Sequence, residues 1–191
     1  MAGILDELMS SLGSDVTKQL SNTLGLDQSA VSKIIPIVAP MILSGLKKQK
    51  DEHGGEERVD HILNKYGNAG VLDDIGGLFN SKVNDSNADP RLGGLLGDAG
   101  IQATDLVSKQ FNIAGDKASK IIPMLAPVVL GFLTKKRDSG GVGSSGIASL
   151  LDQDGDGSIL DDVAGFLTKG LGGSAGNILG GLTGGLFDSK K

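Results

Sequence analysis

The sequence predicts an all-α protein, a multihelical bundle built from two homologous repeats around two buried, proline-kinked central helices. Three observations predict this fold. Apolar residues recur at the spacing of helix turns. Few segments alternate apolar with polar residues over the length of a strand. One apolar segment that contains two prolines occurs twice in the chain, which indicates an internal duplication.

The N-terminal part is predicted to be helical because its apolar residues recur three or four positions apart. They are Leu5, Leu8, Met9, Leu12, Val16, Leu20 and Leu24. Ala103, Val107 and Phe111 show the same spacing in the second half of the chain. Asp27 is the predicted N-cap of the helix that follows. The corresponding residue of the second half is Ala114, so that helix must be capped differently.

The duplication is clearest in the proline-containing segment. Residues 33–46 match residues 120–133 at an offset of 87, with eight of 14 residues identical. Farther along, residues 63–75 align without a gap to residues 151–163 at an offset of 88. One inserted residue between the two matches explains the difference between the offsets.

This duplication predicts the organisation of the chain: a first repeat at 1–85, a second at 90–175 and a glycine-rich C-terminal extension at 176–191. Aromatic residues make up only 3% of the sequence. Neither repeat can cover its apolar segment alone, so the repeats are expected to fuse into one domain. The apolar runs at 34–46 and 121–133 are each 13 residues, which is short for a membrane span and suits a buried core helix.

The two prolines of each central segment lie on one helix face. They are Pro36 and Pro40 in the first repeat, and Pro123 and Pro127 in the second. Each proline removes a backbone hydrogen bond and crowds the carbonyl four residues earlier. The pattern predicts a kinked helix, or a break just before Pro36 and Pro123. The simplest interpretation is that the prolines shape packing and do nothing else.

The duplicated segment, the acidic stretch at 151–163 and the glycine-rich C-terminus together resemble a bacterial family of uncharacterised proteins. That family is catalogued as a domain of unknown function and is related to the YidB-like proteins. The resemblance covers most of the chain. It implies a multihelical fold with buried central helices. It implies no activity and transfers no catalytic residue.

One acidic stretch has the pattern of an EF-hand-type calcium loop. Asp152, Asp154 and Asp156 alternate as ligands, Gly157 permits the turn, and the carbonyl of Ser158 is the seventh-position ligand. The pattern predicts one Ca²⁺ site.

The closing position of this loop departs from the pattern, because Val163 stands where an EF-hand has Glu. Asp161 or Asp162 is the alternative closing ligand. The first repeat lacks the ligand set but keeps Asp73 and Asp74, which indicates that these paired acids primarily cap the next helix. The competing interpretation of the triad is a solvated acidic turn.

The C-terminal glycines repeat every four residues, at Gly172, Gly176, Gly180 and Gly184. In a helix they would form a bare face on which a second helix packs, which predicts self-association or membrane insertion. Each interior glycine costs about 1 kcal/mol relative to alanine. The competing interpretation, which we favour, is a tail that folds over the bundle through its leucines.

Composition excludes several classes of function. The formal net charge of −5 argues against nucleic-acid binding, and the absence of cysteine removes disulfides and thiolate metal sites. His53 and His61 lack metal-ligand spacing and are expected on a charged, solvated helix end. The basic residues at 47–50 and 135–137 are expected to complement helix dipoles.

These observations predict a bacterial structural or interaction module without enzymatic activity, with one Ca²⁺-stabilised loop. Its partner is expected to be another protein or a second copy of itself, and membrane association is not favoured. The N-terminus lacks the basic and apolar regions of a signal peptide, so a cytoplasmic location is expected. The alternative is a self-assembling or membrane-active protein that uses the glycine face.

Overall fold

In a computed structural model that describes residues 3–139, 141 and 143–153, the chain forms seven α-helices and no strand. The helices are α1 Ile4–Leu24, α2 Gln28–His53, α3 Gly55–Tyr66, α4 Ile75–Val83, α5 Asp98–Gln110, α6 Gly115–Ser139 and α7 Gly143–Gln153. Short 3₁₀ helices occupy Ala69–Leu72 and Leu92–Gly94. The predicted all-α fold is confirmed.

By the proximity of Cα atoms, the chain divides into a unit Met1–Asp154 and a unit Gly155–Lys191. The second unit lies outside the described residues. The predicted boundaries at 1–85, 90–175 and 176–191 stay predictions.

Helix α1 forms where the apolar spacing predicts it. Leu8, Val16, Leu20 and Leu24 are buried, and they lie on the face that packs on α2 and α4. The helix ends at Gly25, whose φ of 62° suits glycine, and the Gly25 N–H donates to the carbonyl of Ser21.

The same turn follows α1 and α5. The N–H of Leu26 donates to the carbonyl of Ser21, and the N–H of Ile113 donates to the carbonyl of Ser108, each at 2.9 Å. Both serine hydroxyls donate back, to the carbonyls of Leu26 and Ile113. These contacts recur at the offset seen in the sequence. The duplication itself stays a prediction.

Helices α2 and α6 run without interruption through their prolines, so the predicted break before Pro36 and Pro123 is wrong. Each proline deletes one backbone hydrogen bond. Burial on almost all sides holds the helical path, because α2 packs on α6 and both are apolar around most of their circumference. The predicted kink stays a prediction.

The centre of the core is built by isoleucines of these two helices. Ile34, Ile35 and Ile42 of α2 and Ile121 and Ile122 of α6 are essentially inaccessible to solvent. The expectation that the two apolar segments meet at the middle of one body is confirmed by the contact between α2 and α6.

By length and composition alone, α2 and α6 also meet the test for a membrane span, whereas the length of their 13-residue apolar runs predicts core helices. In α2, 61% of the apolar window is buried inside the protein, and in α6 the share is 78%. Core helices of soluble proteins share this property.

Two aspartates cap helices as predicted. Asp27 Oδ1 accepts from the backbone N–H of Ser29 at 2.7 Å and of Ala30 at 3.3 Å, and the bonds to Ser29 lower the pKa of Asp27. Asp74 Oδ1 accepts from the N–H of Gly77 at 2.8 Å and begins α4.

The basic residues near the end of α6 do more than complement its dipole. Lys136 pairs with Glu7 of α1, and Arg137 pairs with Asp60 of α3 at 3.1 Å. Asp138, and then Asp60, raise the pKa of Arg137. These pairs connect the C-terminal end of α6 to two other helices.

A first prediction concerns Gly45, where α2 touches the segment before α5. A Cβ atom there would lie 2.6 Å from the carbonyl oxygen of Leu95 and 2.8 Å from Cδ2 of Leu96. Gly45→Ala should therefore lower the free energy of unfolding by about 1–3 kcal/mol through overpacking, measured by urea titration.

Gly115→Ala is the matched control, because a Cβ at Gly115 meets no described atom within 4 Å. It should change the free energy of unfolding by less than about 0.5 kcal/mol. Equal destabilisation by the two substitutions would contradict the described contact.

Candidate functional site

The residues predicted from the sequence as sites lie at or beyond the end of the described chain. Asp152 is in the last turn of α7, without a described side chain. The remaining predicted metal ligands Asp154, Asp156, Ser158, Asp161 and Asp162 lie outside the described residues, as do the glycines Gly172, Gly176, Gly180 and Gly184. Within the described part, no group of three or more His, Asp or Glu residues could hold a metal ion.

A groove of about 600 Å³ opens along α6, and we call it the α6 groove. Its floor is the face of α6 that carries Pro123, Ala126, Pro127 and Leu130. Its walls are faces of α3 and α4, the C-terminal end of α2 and the segment 85–95.

The floor is apolar, and at Pro127 the helix lacks the backbone N–H donor that any other residue would provide. Its four residues are spaced i, i+3, i+4 and i+7, so they lie on one side of α6. Because Pro127 has no N–H, the carbonyl of Pro123 cannot accept the usual helical hydrogen bond. The proline pair therefore shapes the groove as well as the core, which the sequence did not predict.

The walls combine apolar and cationic side chains. Arg58, Ile62 and Lys65 are spaced by four and three residues along α3, and Leu78 and Lys82 are four apart on α4. Residues at this spacing share a helix face. The faces that direct Ile62 and Leu78 toward the groove therefore bring three cations to it as well.

These cations have few partners. Arg58 donates from Nε and Nη2 to Gln49 Oε1 at 3.1 and 3.0 Å. Lys65 Nζ lies 5.2 Å from the ring centroid of Tyr66, which is 56% exposed. Among the described residues, no carboxylate lies within 4.0 Å of Arg58, Lys65 or Lys82.

The segment between α4 and α5 is folded by its own aspartates. Asp89 accepts from the N–H of Arg91 at 2.9 Å and of Gly93 at 3.2 Å. Asp85 accepts from the N–H of Asn87 at 2.9 Å. The carboxylates that line the groove are therefore engaged by backbone N–H groups.

Leu92, in the same segment, has a φ of 51°. A bulky residue rarely adopts this conformation, so the backbone here is strained. Leu92 nevertheless packs partly on the core and lines the groove.

The wall formed by α4 is fixed to α6. Lys120 Nζ of α6 donates to the carbonyl of Val83 at the end of α4, at 2.7 Å. Phe79 of α4 is fully buried. The α6 groove is therefore a preformed cleft of the size typical for small-molecule sites.

The hydrogen bonds of this lining do not assemble a catalytic pair in the described part of the chain. They join Arg58 to Gln49, and Asp85 and Asp89 to backbone N–H groups. None of these is a contact between a nucleophile and a base. The chemistry that the groove offers is apolar contact combined with cationic side chains.

Sequence reasoning missed this site because its cations are spread over positions 58 to 82 and over two helices. His53, which was expected on a solvated helix end, lines the groove and is exposed. The signal available in the sequence was the mixture of cations and apolar residues on single helix faces, as in Arg58, Ile62 and Lys65.

A family model described as "Bacterial protein of unknown function (DUF937)" matches residues 6–136. The matched range holds the floor and the walls of the α6 groove and ends before the predicted calcium loop. No curated protein and no solved structure matches the chain. The YidB-like relation stays a prediction.

A second prediction concerns the wall that Asp89 organises. Asp89→Ala removes the acceptor of two backbone N–H groups, so the amide hydrogens of Arg91 and Gly93 should exchange with solvent about tenfold faster. Hydrogen exchange followed by NMR measures this. Asp98→Ala is the control, since the Asp98 side chain is 87% exposed and lies 3.7 Å from Arg91. Unchanged exchange in Asp89→Ala would contradict the described wall.

Proposed function

The chain belongs to the bacterial DUF937 family, whose function is unknown, and we propose that it is a non-enzymatic structural or interaction module that binds its ligand in the α6 groove. One observation carries the proposal: three cations without a described carboxylate partner converge beside an apolar floor. Lys136 and Arg137 have such partners, whereas Lys48 and Lys135 on the exposed surface have none among the described residues, so the three cations of the groove are distinguished by lining one cleft together.

The groove supports binding because two of its walls are helices, and because the described lining brings together apolar and cationic side chains. These two walls belong to α3 and α4, which are anchored by buried residues such as Val59, Leu63 and Phe79, and a further wall is the segment 85–95. A site built on helices holds its side chains in place before a ligand arrives, and this lowers the entropic cost of binding. Tyr66 at the edge adds an exposed aromatic surface.

The proposal includes one Ca²⁺ ion in the acidic stretch that begins at the end of α7. Support comes from the alternating carboxylates and from the glycine at the sixth position of the loop pattern. The ligands are Asp152, Asp154, Asp156 and Ser158, closed by Asp161 or Asp162. When bound, the ion would neutralise the clustered carboxylates and brace the loop.

The alternative function, self-association or membrane insertion through Gly172, Gly176, Gly180 and Gly184, has the support of the sequence pattern. The cytoplasmic location also rests on the sequence.

A third prediction tests the groove with Nile red, an uncharged dye that fluoresces in apolar surroundings. The folded protein should bind the dye, and Ala88→Trp should abolish most of the signal, because Ala88 lines the groove and a large side chain would fill it. Gln102→Trp is the control, since Gln102 is exposed on α5 outside the groove. If the dye did not bind the unsubstituted protein, or bound both variants equally, binding in the groove would be refuted.

A fourth prediction tests the ion. Titration calorimetry should give one Ca²⁺ site in the full chain, and Ca²⁺ at 100 times its dissociation constant should stabilise the fold that binds it by about 2.7 kcal/mol. Asp154→Ala should lose the site, whereas Asp105→Ala, on the exposed surface of α5, should keep it. If the unsubstituted protein gave no binding heat and no rise of melting temperature with Ca²⁺, the predicted calcium site would be contradicted.

A further inference from the structure

We propose that the α6 groove binds an anionic amphiphile, a single apolar chain that lies on the floor while its carboxylate is held by the cations of the walls. This inference rests on the proposed function, because it assumes that the groove is a binding site and specifies the chemistry of the ligand.

The floor fits one short apolar chain. From Pro123 to Leu130 it covers seven residue steps of α6, which is about 10 Å at 1.5 Å per residue. Ile62 and Leu78 continue the apolar surface upward on both walls. The volume of about 600 Å³ is within the usual range of small-molecule pockets. Pro123, Ala126 and Leu130 are buried, so an apolar chain in the groove would contact mainly the half-buried Pro127 and Leu78.

The walls favour a negative head group. Arg58 uses two of its N–H donors on Gln49 and keeps three others, while Lys65 and Lys82 each have a full ammonium group. The two carboxylates of the lining, Asp85 and Asp89, accept from backbone N–H groups. A carboxylate ligand would therefore find charged donors, and it would give the cations the partner that the described chain does not provide.

The predicted duplication allows a comparison of the wall residues with their counterparts in the second half of the sequence. At the offset of 88 residues, the apolar wall residues align with apolar residues, whereas the cationic wall residues align with uncharged ones. The correspondences are Ile62 with Leu150, Leu78 with Phe166, Arg58 with Gly146, Lys65 with Gln153 and Lys82 with Gly170. The floor pattern Pro-x-x-Ala-Pro-x-x-Leu occurs in both halves. The apolar residues are therefore common to both halves of the predicted duplication, whereas the three cations occur in the first half alone.

The test uses three soluble probes with the full chain. Octanoate has the anion and the tail, octanol has the tail alone, and acetate has the anion alone. Titration calorimetry below the micelle concentration, with chemical shift mapping, should show octanoate in the groove. Octanol should bind more weakly and acetate should not bind measurably.

The decisive variant is Lys65→Gln combined with Lys82→Gln. Removing two charges that contact the head group should weaken octanoate binding about tenfold and leave octanol binding unchanged. Lys48→Gln combined with Lys135→Gln removes the same charge from exposed positions outside the groove and should leave both affinities unchanged. Thermal melts of both double variants verify that they fold.

Three results would overturn the inference: octanoate and octanol of equal affinity, an equal loss of affinity in the two double variants, or binding of octanoate only as micelles or in vesicles. Each of these is compatible with Nile red in the groove, so the inference would fail while the proposed function stood. If Nile red binding failed as well, the groove would not be a ligand site at all.

Discussion

The burial of α6 is the constraint on which the rest of the described structure depends. This helix contacts each of the six other described helices, and its residues 121–126 are all buried. An apolar helix with two prolines lacks two of its own hydrogen bonds, so it is a poor helix in isolation. Its contact with α2 and the surrounding helices supplies the stability that its backbone lacks.

The α6 groove follows from the way in which α3 and α4 cross this central helix. Gly131 of α6 lets the 3₁₀ helix Ala69–Leu72 come close, because a Cβ there would lie 2.7 Å from the carbonyl oxygen of Asn68. The connection between α3 and α4 is thus pressed onto α6 near Gly131. Farther toward the N-terminus of α6, the floor of the groove lies between the same two helices, with Pro123 buried and Pro127 half-buried.

The cations of the described fold differ in what they contact. Lys136 pairs with Glu7 of α1, and Arg137 pairs with Asp60 of α3. These contacts connect the end of α6 to two other helices. Surface pairs of this kind contribute little stability each. The cations of the groove lie instead beside apolar residues of one cleft, where Lys65 is exposed and Arg58 and Lys82 are half-buried. Their position, more than their number, distinguishes the groove from the remaining surface.

The sequence by itself determined the local structure: the helical class, the burial of the two proline-containing segments, and the caps Asp27 and Asp74. These depend on neighbours three or four residues apart, and such spacing is visible in a sequence. Only the tertiary structure decided that the helices run unbroken through Pro36 and Pro123, because packing from distant residues offsets the lost hydrogen bonds. The α6 groove was likewise invisible, since Arg58, Lys82 and Pro127 come together only when α3 and α4 fold back over α6.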